Sequence, residues 1–329
     1  MTTKEYILAL LESRRGQSIS GEYIAAQLKV SRNAVWKAIK ELEKDGYQIS
    51  AATNLGYCLH EDNDILSVQG MLPYLQDKEA SQHISIYDSL ETTNKIAKKK
   101  AIAGAAHGSA VIAEAQTGGK GRYGRNFASP PGTGIYMSIV LCPKQFPFSA
   151  ATLITASIAV SVCEAIEALS DLEVKPQIKW VNDIFMGGKK VCGISTEAAM
   201  DFETGSVQWI VVGIGVNFCK PQKDVPKELQ EVFGTVFGEV RPSTTRNHLA
   251  AEILNRVAFS KAPLTQEEML AAYRSRMFML GEVVEVTSGD KHFEATALDI
   301  DDSGQLVVEK ASGEIVTLHS GEVSARPKK

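Results

Sequence analysis

Cysteine is scarce and scattered. Cys58, Cys142, Cys163, Cys192 and Cys219 form an odd number without any CxxC pair or histidine-rich partner segment. That excludes a disulfide scaffold and a zinc-finger arrangement, and leaves buried thiols as the reading. Long apolar runs are lacking too: the most apolar helical stretch, Ala150 to Cys163, is broken by Thr152, Thr155, Ser157 and Ser161 and continues into Glu164 and Glu167, so it reads as a buried helix and no membrane span is expected. The N-terminus, MTTKEYILALLESRR, carries acids and shows no small-residue cleavage site, which argues against a secretory signal and for a cytoplasmic protein. There is no strong excess of either charge. A formal net charge of -4 gives no global attraction to nucleic acid, so any such reading must rest on a local patch. Repeats and low-complexity tracts are absent.

What is present is the composition of a soluble globular chain, 44% hydrophobic and 22% charged, and 329 residues are too many for one ordinary domain. The first unit reads as three helices and a hairpin. Tyr6, Ile7, Leu10 and Leu11 recur at helical spacing up to Arg15-Gly16; Ser20 caps a short second helix with Ile24, Ala25 and Leu28 inward; Ser31 caps a third with Val35, Ile39 and Leu42 inward. Gly46 stops the third helix, and two alternating runs around Asn54-Leu55-Gly56 predict a two-stranded wing. Two short helices joined by a tight turn, the second opening Ser-Arg-Asn, have the form of a winged helix-turn-helix. Its reading residues would be Ser31, Arg32, Asn33, Trp36, Lys37 and Lys40, with Arg32 suited to guanine, Asn33 to adenine, and Lys37 and Lys40 to phosphates. Around that helix Lys29, Arg32, Lys37, Lys40 and Lys44 outnumber Glu41 and Glu43, but the unit as a whole is nearly neutral, which favours two copies on two half-sites. A solvated charged face on a protein-interaction module is the plainer alternative.

The polar stretch Glu61-Asp62-Asn63-Asp64 marks a linker, 62–70, between this unit (1–61) and a middle domain (71–280). There, strands at 83–88, 109–115, 135–141, 190–198 and 207–217, a hairpin signal at 201–205, and helices at 93–103, 150–169, 248–259 and 266–277 predict a mixed sheet covered by helices. From 281 to 329, short strands every eight to twelve residues or so, punctuated by Ser288-Gly289-Asp290, Asp302-Ser303-Gly304 and Ser312-Gly313, predict a separate small SH3-like β-barrel. The fold class expected is therefore α+β and multidomain.

One segment concentrates charge on a flexible backbone. In AEAQTGGKGRYGRNF, Lys120, Arg122 and Arg125 stand among Gly118, Gly119, Gly121 and Gly124. Glycines let amides approach an anion and clustered cations neutralise phosphates, whereas a solvated basic loop is the bland alternative. Gly119, Gly121 and Gly124 also fit GxGxxG, but Asn126, Pro130, Pro131 and Gly132 follow where a dinucleotide fold needs a helix, and no Walker GK[ST] is present. Further on come KWVND (Lys179 to Asp183), KKVCGI (Lys189 to Ile194) and GIGVN (Gly213 to Asn217).

TTN at Thr92 to Asn94, GGKGRYGR, KWVND, KKVCGI and GIGVN, in this order and spacing, resemble the biotin protein ligases. With the N-terminal reader they are similar to the bifunctional ligase and biotin-operon repressor subgroup over essentially the whole chain. The resemblance implies a class II synthetase-like core that turns biotin and ATP into biotinyl-5'-AMP with Mg2+, then biotinylates a lysine of a biotin carboxyl carrier protein. It also implies operator DNA as a partner and a homodimer in the adenylate-bound form. By the same resemblance Thr92, Thr93, Asn94, Gln116, Lys120, Gly121, Arg122 and Lys190 hold biotin, and Arg122 and Lys190 serve catalysis. Arg125, Phe127, Asn182, Asp183 and Asn217 line the adenylate, with Asp183 the candidate for magnesium. Phe127 replaces a frequent tryptophan, Val181 a frequent proline and Tyr123 a frequent arginine. Taken singly, Trp180 and Ile194 read as core, and Asn182 and Asn217 as caps of strands or turns. A biotin sensor without turnover and a lipoate ligase are the rival readings.

Overall fold

The computed structural model describes residues 1–52, 55–121, 124, 126–142, 151–169, 173–200, 203, 207–221, 231–238, 244–260, 262–288, 291–319 and 323–327. The first helix, α1 (Thr3–Glu12), begins in a capping box in which Thr2 accepts from the Glu5 amide and Glu5 accepts from the Thr2 amide. Ser20 caps α2 (Gly21–Leu28) and Ser31 caps α3 (Arg32–Lys44), each accepting a backbone N–H at 3.1 Å. Between them Lys29 adopts a left-handed φ of 52°, unusual for a side chain with a Cβ, and the Val30 amide closes the turn on the Ala25 carbonyl at 3.0 Å. Ile7, Leu11, Ile24, Val35, Ile39, Leu42 and Leu59 make the core of this unit, and β1 (Ile49–Ala52) pairs with β2 (Gly56–Leu59) as the expected wing, whose Asn54 lies outside the described residues.

The central sheet has the order β3-β4-β5-β9-β8-β7-β6, with β3 at Ile84–Leu90, β4 at Ser109–Gln116, β5 at Gly134–Leu141, β6 at Gln177–Lys179, β7 at Asp183–Met186, β8 at Lys189–Met200 and β9 at Val207–Asn217. β3 and β4 run parallel, joined by the crossover helix α5 (Thr93–Ile102), and the other pairs are antiparallel, so the sheet is mixed as its pattern predicts. Alternation along β9 sends Ile210, Val212, Ile214 and Val216 into the main core with α6 (Ala151–Glu167), α7 (Arg246–Val257) and α8 (Gln266–Arg276). Val211, Gly213 and Gly215 face the other way, where α5 packs Ala97 and Ala101 on Val111, Val140 and Val211. Ala150 and most of the 201–205 hairpin signal lie outside the described residues.

The C-terminal strands β10 (Val283–Ser288), β11 (Lys291–Ile300), β12 (Leu306–Lys310), β13 (Ile315–Leu318) and β14 (Val323–Pro327) form one antiparallel sheet in the order β13-β12-β11-β10-β14. It does not have the separate core that its strand spacing suggested. Val284, Val286, Ala297, Ile300, Leu306 and Val308 join the same apolar cluster as the central helices, and the buried Trp180 Nε1 donates to the Gly304 carbonyl at 3.1 Å. The segment read as the linker, 62–70, is held against α7. Ser67 caps the one-turn helix α4 (Val68–Met71), its amide donates to Asn247 Oδ1 at 2.9 Å, and Asn247 Nδ2 donates to the Ile65 carbonyl at 2.7 Å. Its polar composition reads as solvated, but the partners that satisfy it come from α7. No described helix is long and apolar enough to cross a membrane.

Candidate functional site

Strand register builds a floor. Across β5, β9 and β8, Tyr136 pairs with Gly215 and Gly215 with Gly193, while two positions along, Ser138 pairs with Gly213 and Gly213 with Ser195. The two glycines of GIGVN, Gly213 and Gly215, and the glycine of KKVCGI therefore lie on one face, where strand periodicity puts every second residue. The space they leave is filled from above. A Cβ on Gly215 would stand 2.5 Å from Phe127 Cε1, and one on Gly213 would stand 2.6 Å from Ser195 Oγ and collide with the Asn94 amide. Phe127 thus lies over Gly193 and Gly215 in a T-shaped contact with Tyr136, ring centroids 6.4 Å apart.

The first end of this floor is a polar cradle. Thr92 caps α5 on the Lys95 amide at 3.1 Å, which places Thr93 and Asn94 in the first turn over the sheet. Gln116, at the end of β4, accepts from the Thr93 amide at 2.8 Å and donates through Nε2 to Ser129 Oγ at 3.0 Å. Asn94 Nδ2 donates to Glu197 at 2.8 Å and to Ser195 at 3.2 Å, and Ser138 Oγ donates to Asn94 Oδ1 at 2.5 Å. Ser129, Ser138, Ser195 and Glu197 escape the sequence reading. The signal open to view was a lone hydroxyl in an apolar strand, as Ser138 is in GIYMSIVL.

At the other end the Lys190 side chain lies over Gly193, where an added Cβ would stand 3.2 Å from its Nζ, and the ammonium pairs with Asp183 Oδ1 at 2.7 Å. Asn182 and Asn217 tie backbone together: Asn182 Nδ2 donates to the Ile194 carbonyl at 2.6 Å, and Asn217 Nδ2 to the Gly234 carbonyl at 2.9 Å. Trp180 and Ile194 are core. Among the described residues no three of His, Cys, Asp and Glu gather around a metal-sized space. Asp183 is a single carboxylate, a donor set that fits magnesium only where nucleotide phosphates and water complete the shell. In the glycine-rich loop Lys120 is exposed and bridges to Asn126, and the Phe127 amide donates to the Gly119 carbonyl at 2.9 Å. Arg122, Tyr123 and Arg125 lie outside the described residues.

Burial sets the protonation on both sides of the floor. It pushes the Tyr136 hydroxyl up to about 12, so this group stays a donor, to the Pro130 carbonyl at 2.9 Å. It also pushes the Cys192 thiol well up, which makes that sulfur packing material and no nucleophile.

On the first unit, Arg32, Asn33, Trp36, Lys37 and Lys40 share the exposed side of α3 opposite Val35, Ala38, Ile39 and Leu42. Ser31 is engaged as the cap, Trp36 is 49% exposed, and Lys40 pairs with Glu43 at 2.6 Å. The helix thus presents one cationic, amphipathic face with its N-terminus free.

Comparison with known proteins finds three family models along the chain. Residues 3–58 match the family described as HTH domain, 86–217 the Biotin/lipoate A/B protein ligase family, and 279–326 the Biotin protein ligase C terminal domain. The chain is similar to Bifunctional ligase/repressor BirA of Bacillus spizizenii, with 32% identity covering 98% of both chains. It is also similar to the protein of that name in Escherichia coli, with 29% identity covering 97% of this chain and 96% of the other. Among solved structures, biotin protein ligase from Aquifex aeolicus in complex with biotin and ATP superimposes with a TM-score of 0.61 at 25% identity, over 74% of this chain and 99% of that one. The chain belongs to the biotin protein ligases, in their bifunctional ligase/repressor branch.

Proposed function

We propose that the protein joins biotin to ATP as biotinyl-5'-AMP, transfers the biotinyl group to a lysine of a biotin carboxyl carrier domain, and represses transcription in its adenylate-bound form. The observation that carries the first two steps is the shared floor: the Thr93–Asn94–Gln116 cradle and the Lys190 ammonium flank Gly193, Gly213 and Gly215 on one sheet face. The cradle offers donors and acceptors to a cyclic urea, the glycines admit a flat ring system, and Lys190 stands where a carboxylate and a phosphate must meet.

In the first step a biotin carboxylate oxygen attacks the α-phosphorus and pyrophosphate leaves. In the second the neutral amine of the acceptor lysine attacks the anhydride carbonyl and AMP leaves. Neither step needs an enzyme nucleophile. The barrier is the approach of an anion to a polyanion; Lys190 supplies positive charge against it, and Arg122 and Arg125 carry the same charge in the glycine-rich segment. Asp183, with the phosphates of ATP, would hold a magnesium ion that further neutralises the polyphosphate. Lys120 and Gly121 belong to the loop that excludes water from the anhydride.

The exposed face of α3 supports the third role, as reader of an operator half-site, with a homodimer presenting two such helices. The protein acts in the cytoplasm, where carboxylases and operators are found together. Incubation with biotin, MgATP and the carrier domain of acetyl-CoA carboxylase, followed by mass spectrometry of the acceptor, tests the ligase. A gain of one biotinyl group is expected. An unchanged acceptor, or preferential loading of lipoate in a parallel reaction, defeats the reading.

A further inference from the structure

The hydrogen bonds of the cradle have a direction. Glu197 accepts from Asn94 Nδ2 at 2.8 Å and contacts Lys98. An ionised carboxylate has no proton to give, so the NH2 end of the Asn94 amide faces Glu197 and its oxygen faces Ser138. Ser138 Oγ stands 2.5 Å from that oxygen and 2.7 Å from Thr93 Oγ1. A hydroxyl carries a single proton, and Asn94 Oδ1 can only accept. The Ser138 proton therefore goes to Asn94, and the proton in the Thr93–Ser138 contact is that of Thr93. The other acceptor within reach of the Thr93 hydroxyl, Gln116 Oε1 at 3.3 Å, is left with the Thr93 backbone N–H at 2.8 Å as its only internal donor among the described contacts. Gln116 cannot turn round, because its Nε2 donates to Ser129 Oγ at 3.0 Å and the Ser129 proton goes to the Phe127 carbonyl at 3.1 Å.

We propose that Glu197 is a positioning residue that sets ligand specificity. Through Asn94 and Ser138 it draws the Thr93 proton away from Gln116, and so keeps one lone pair of Gln116 Oε1 open to an N–H of the ligand. The site then selects a cyclic urea or lactam N–H and turns away ring systems that offer only a carbonyl or sulfur. The inference rests on the biotin reading above. Gly213 is part of the device, since a side chain there would expel the Asn94 amide from its row between Ser138 and Ser195.

The test measures equilibrium binding of biotin and of its two ureido N-methyl derivatives, without ATP, to the full-length protein and to Glu197→Ala, Ser138→Ala and Lys98→Ala. In the unmodified protein, methylation of the nitrogen that meets Gln116 lowers affinity by about tenfold or more, the worth of one buried hydrogen bond. In Glu197→Ala and Ser138→Ala the Thr93 hydroxyl is free to fill the lone pair. Biotin then binds about tenfold more weakly, while the methylated ligand changes by less than about twofold, so the gap between them closes. The steric cost of the methyl group is common to all four proteins and drops out of the comparison. Lys98→Ala keeps the carboxylate and the full gap. An unchanged gap in Glu197→Ala and Ser138→Ala overturns the inference alone. Full-length protein that binds none of the ligands overturns the biotin reading and the inference with it.

Discussion

Arg246 and Asp64, 182 positions apart, enclose one another: the Arg246 amide donates to Asp64 Oδ1 at 2.9 Å, its Nε to Oδ2 at 3.0 Å and its Nη2 to the Asp64 carbonyl at 2.5 Å. The guanidinium is 3% exposed, and its Nη1 donates to Glu114 at 2.8 Å, two residues before Gln116 on β4. The same Glu114 oxygen accepts from the Gly132 amide at 2.6 Å. The segment leading out of the reader thus ends on the strand that carries the cradle.

Removing one partner of a buried ion pair leaves an uncompensated charge and costs about 3–5 kcal/mol, so Asp64→Ala should lower the thermal midpoint clearly and Asp64→Asn less. Differential scanning calorimetry of the two variants checks this; an unchanged midpoint in Asp64→Ala would mean that the pair carries no stability. Deletion of residues 1–61, which spares Asp64, should retain more ligase activity than deletion of 1–64.

His107 should make stability fall in mild acid. Its Nδ1 accepts from the Cys142 amide at 3.0 Å, so its Nε2 proton faces the Ala258 carbonyl at 3.1 Å, and the first of these bonds requires the neutral ring. Burial holds its pKa below the ordinary 6.5, as it does for His248 stacked on Tyr74. The folded state therefore binds these protons less readily than the unfolded chain. The stabilisation is whole above the unfolded value and is lost as pH falls from there through the lower folded value. Urea midpoints at about pH 7.5 and about pH 5.5 should differ, and the difference should shrink in His107→Gln. Equal shrinkage of zero and a flat profile would reject the assignment.

Much of this was legible because the physics was local. Ser20 and Ser31 announce helix starts through their own hydroxyls, and the alternation of β9 already separates Gly213 and Gly215 from Ile214 and Val216. β6, β7 and α4 are three or four residues each, too short to show a period. Glu197 reads as a solvated charge until the register sets it in line with Val211 and Val140, within reach of Asn94. Asp64 and Arg246 have meaning only together, and no spacing rule spans 182 positions.

Gly213→Ala and Gly215→Ala should separate the two halves of the site. The first added methyl meets Asn94 and Ser195, the second meets the Phe127 ring. Overpacking of this kind costs about 1–3 kcal/mol, here taken from ligand binding more than from the fold. Gly213→Ala should raise the KM for biotin about tenfold and leave that for ATP nearly unchanged; Gly215→Ala should raise the KM for ATP. Steady-state kinetics with each substrate varied decides. Equal effects of both substitutions on both substrates would show that the floor is not divided between them.

Lys190→Ala should leave a folded protein that releases pyrophosphate about a hundredfold more slowly, because a preorganised cation opposite the developing charge is worth about 3 kcal/mol. Arg122→Ala, in the glycine-rich loop, should behave alike and also shed free adenylate. Pyrophosphate release at the unmodified rate in Lys190→Ala would remove that lysine from the chemistry.

The reader face makes the last prediction. Arg32 and Asn33 stand at the free N-terminus of α3, where a helix laid in the major groove meets base edges, whereas Lys37 and Lys40 lie one and two turns further along, where backbone phosphates pass. Arg32→Ala should therefore relax sequence preference, costing about 1–3 kcal/mol on the preferred operator and little on other DNA. Lys37→Ala should weaken binding to all sequences alike and reduce the slope of log K against log salt by about one. Lys40 already shares its charge with Glu43, so Lys40→Ala should have a smaller effect than Lys37→Ala. Biotin with ATP should raise the affinity of the unmodified protein for a two-half-site operator, since two linked helices bind more tightly than one. Band shifts over a salt series, run with sedimentation of the same samples, measure all of these. Equal affinity and an unchanged sedimentation coefficient with and without biotin and ATP would mean that the α3 face works independently of the ligase site, and repression by the adenylate-bound form would fall while the ligase stood.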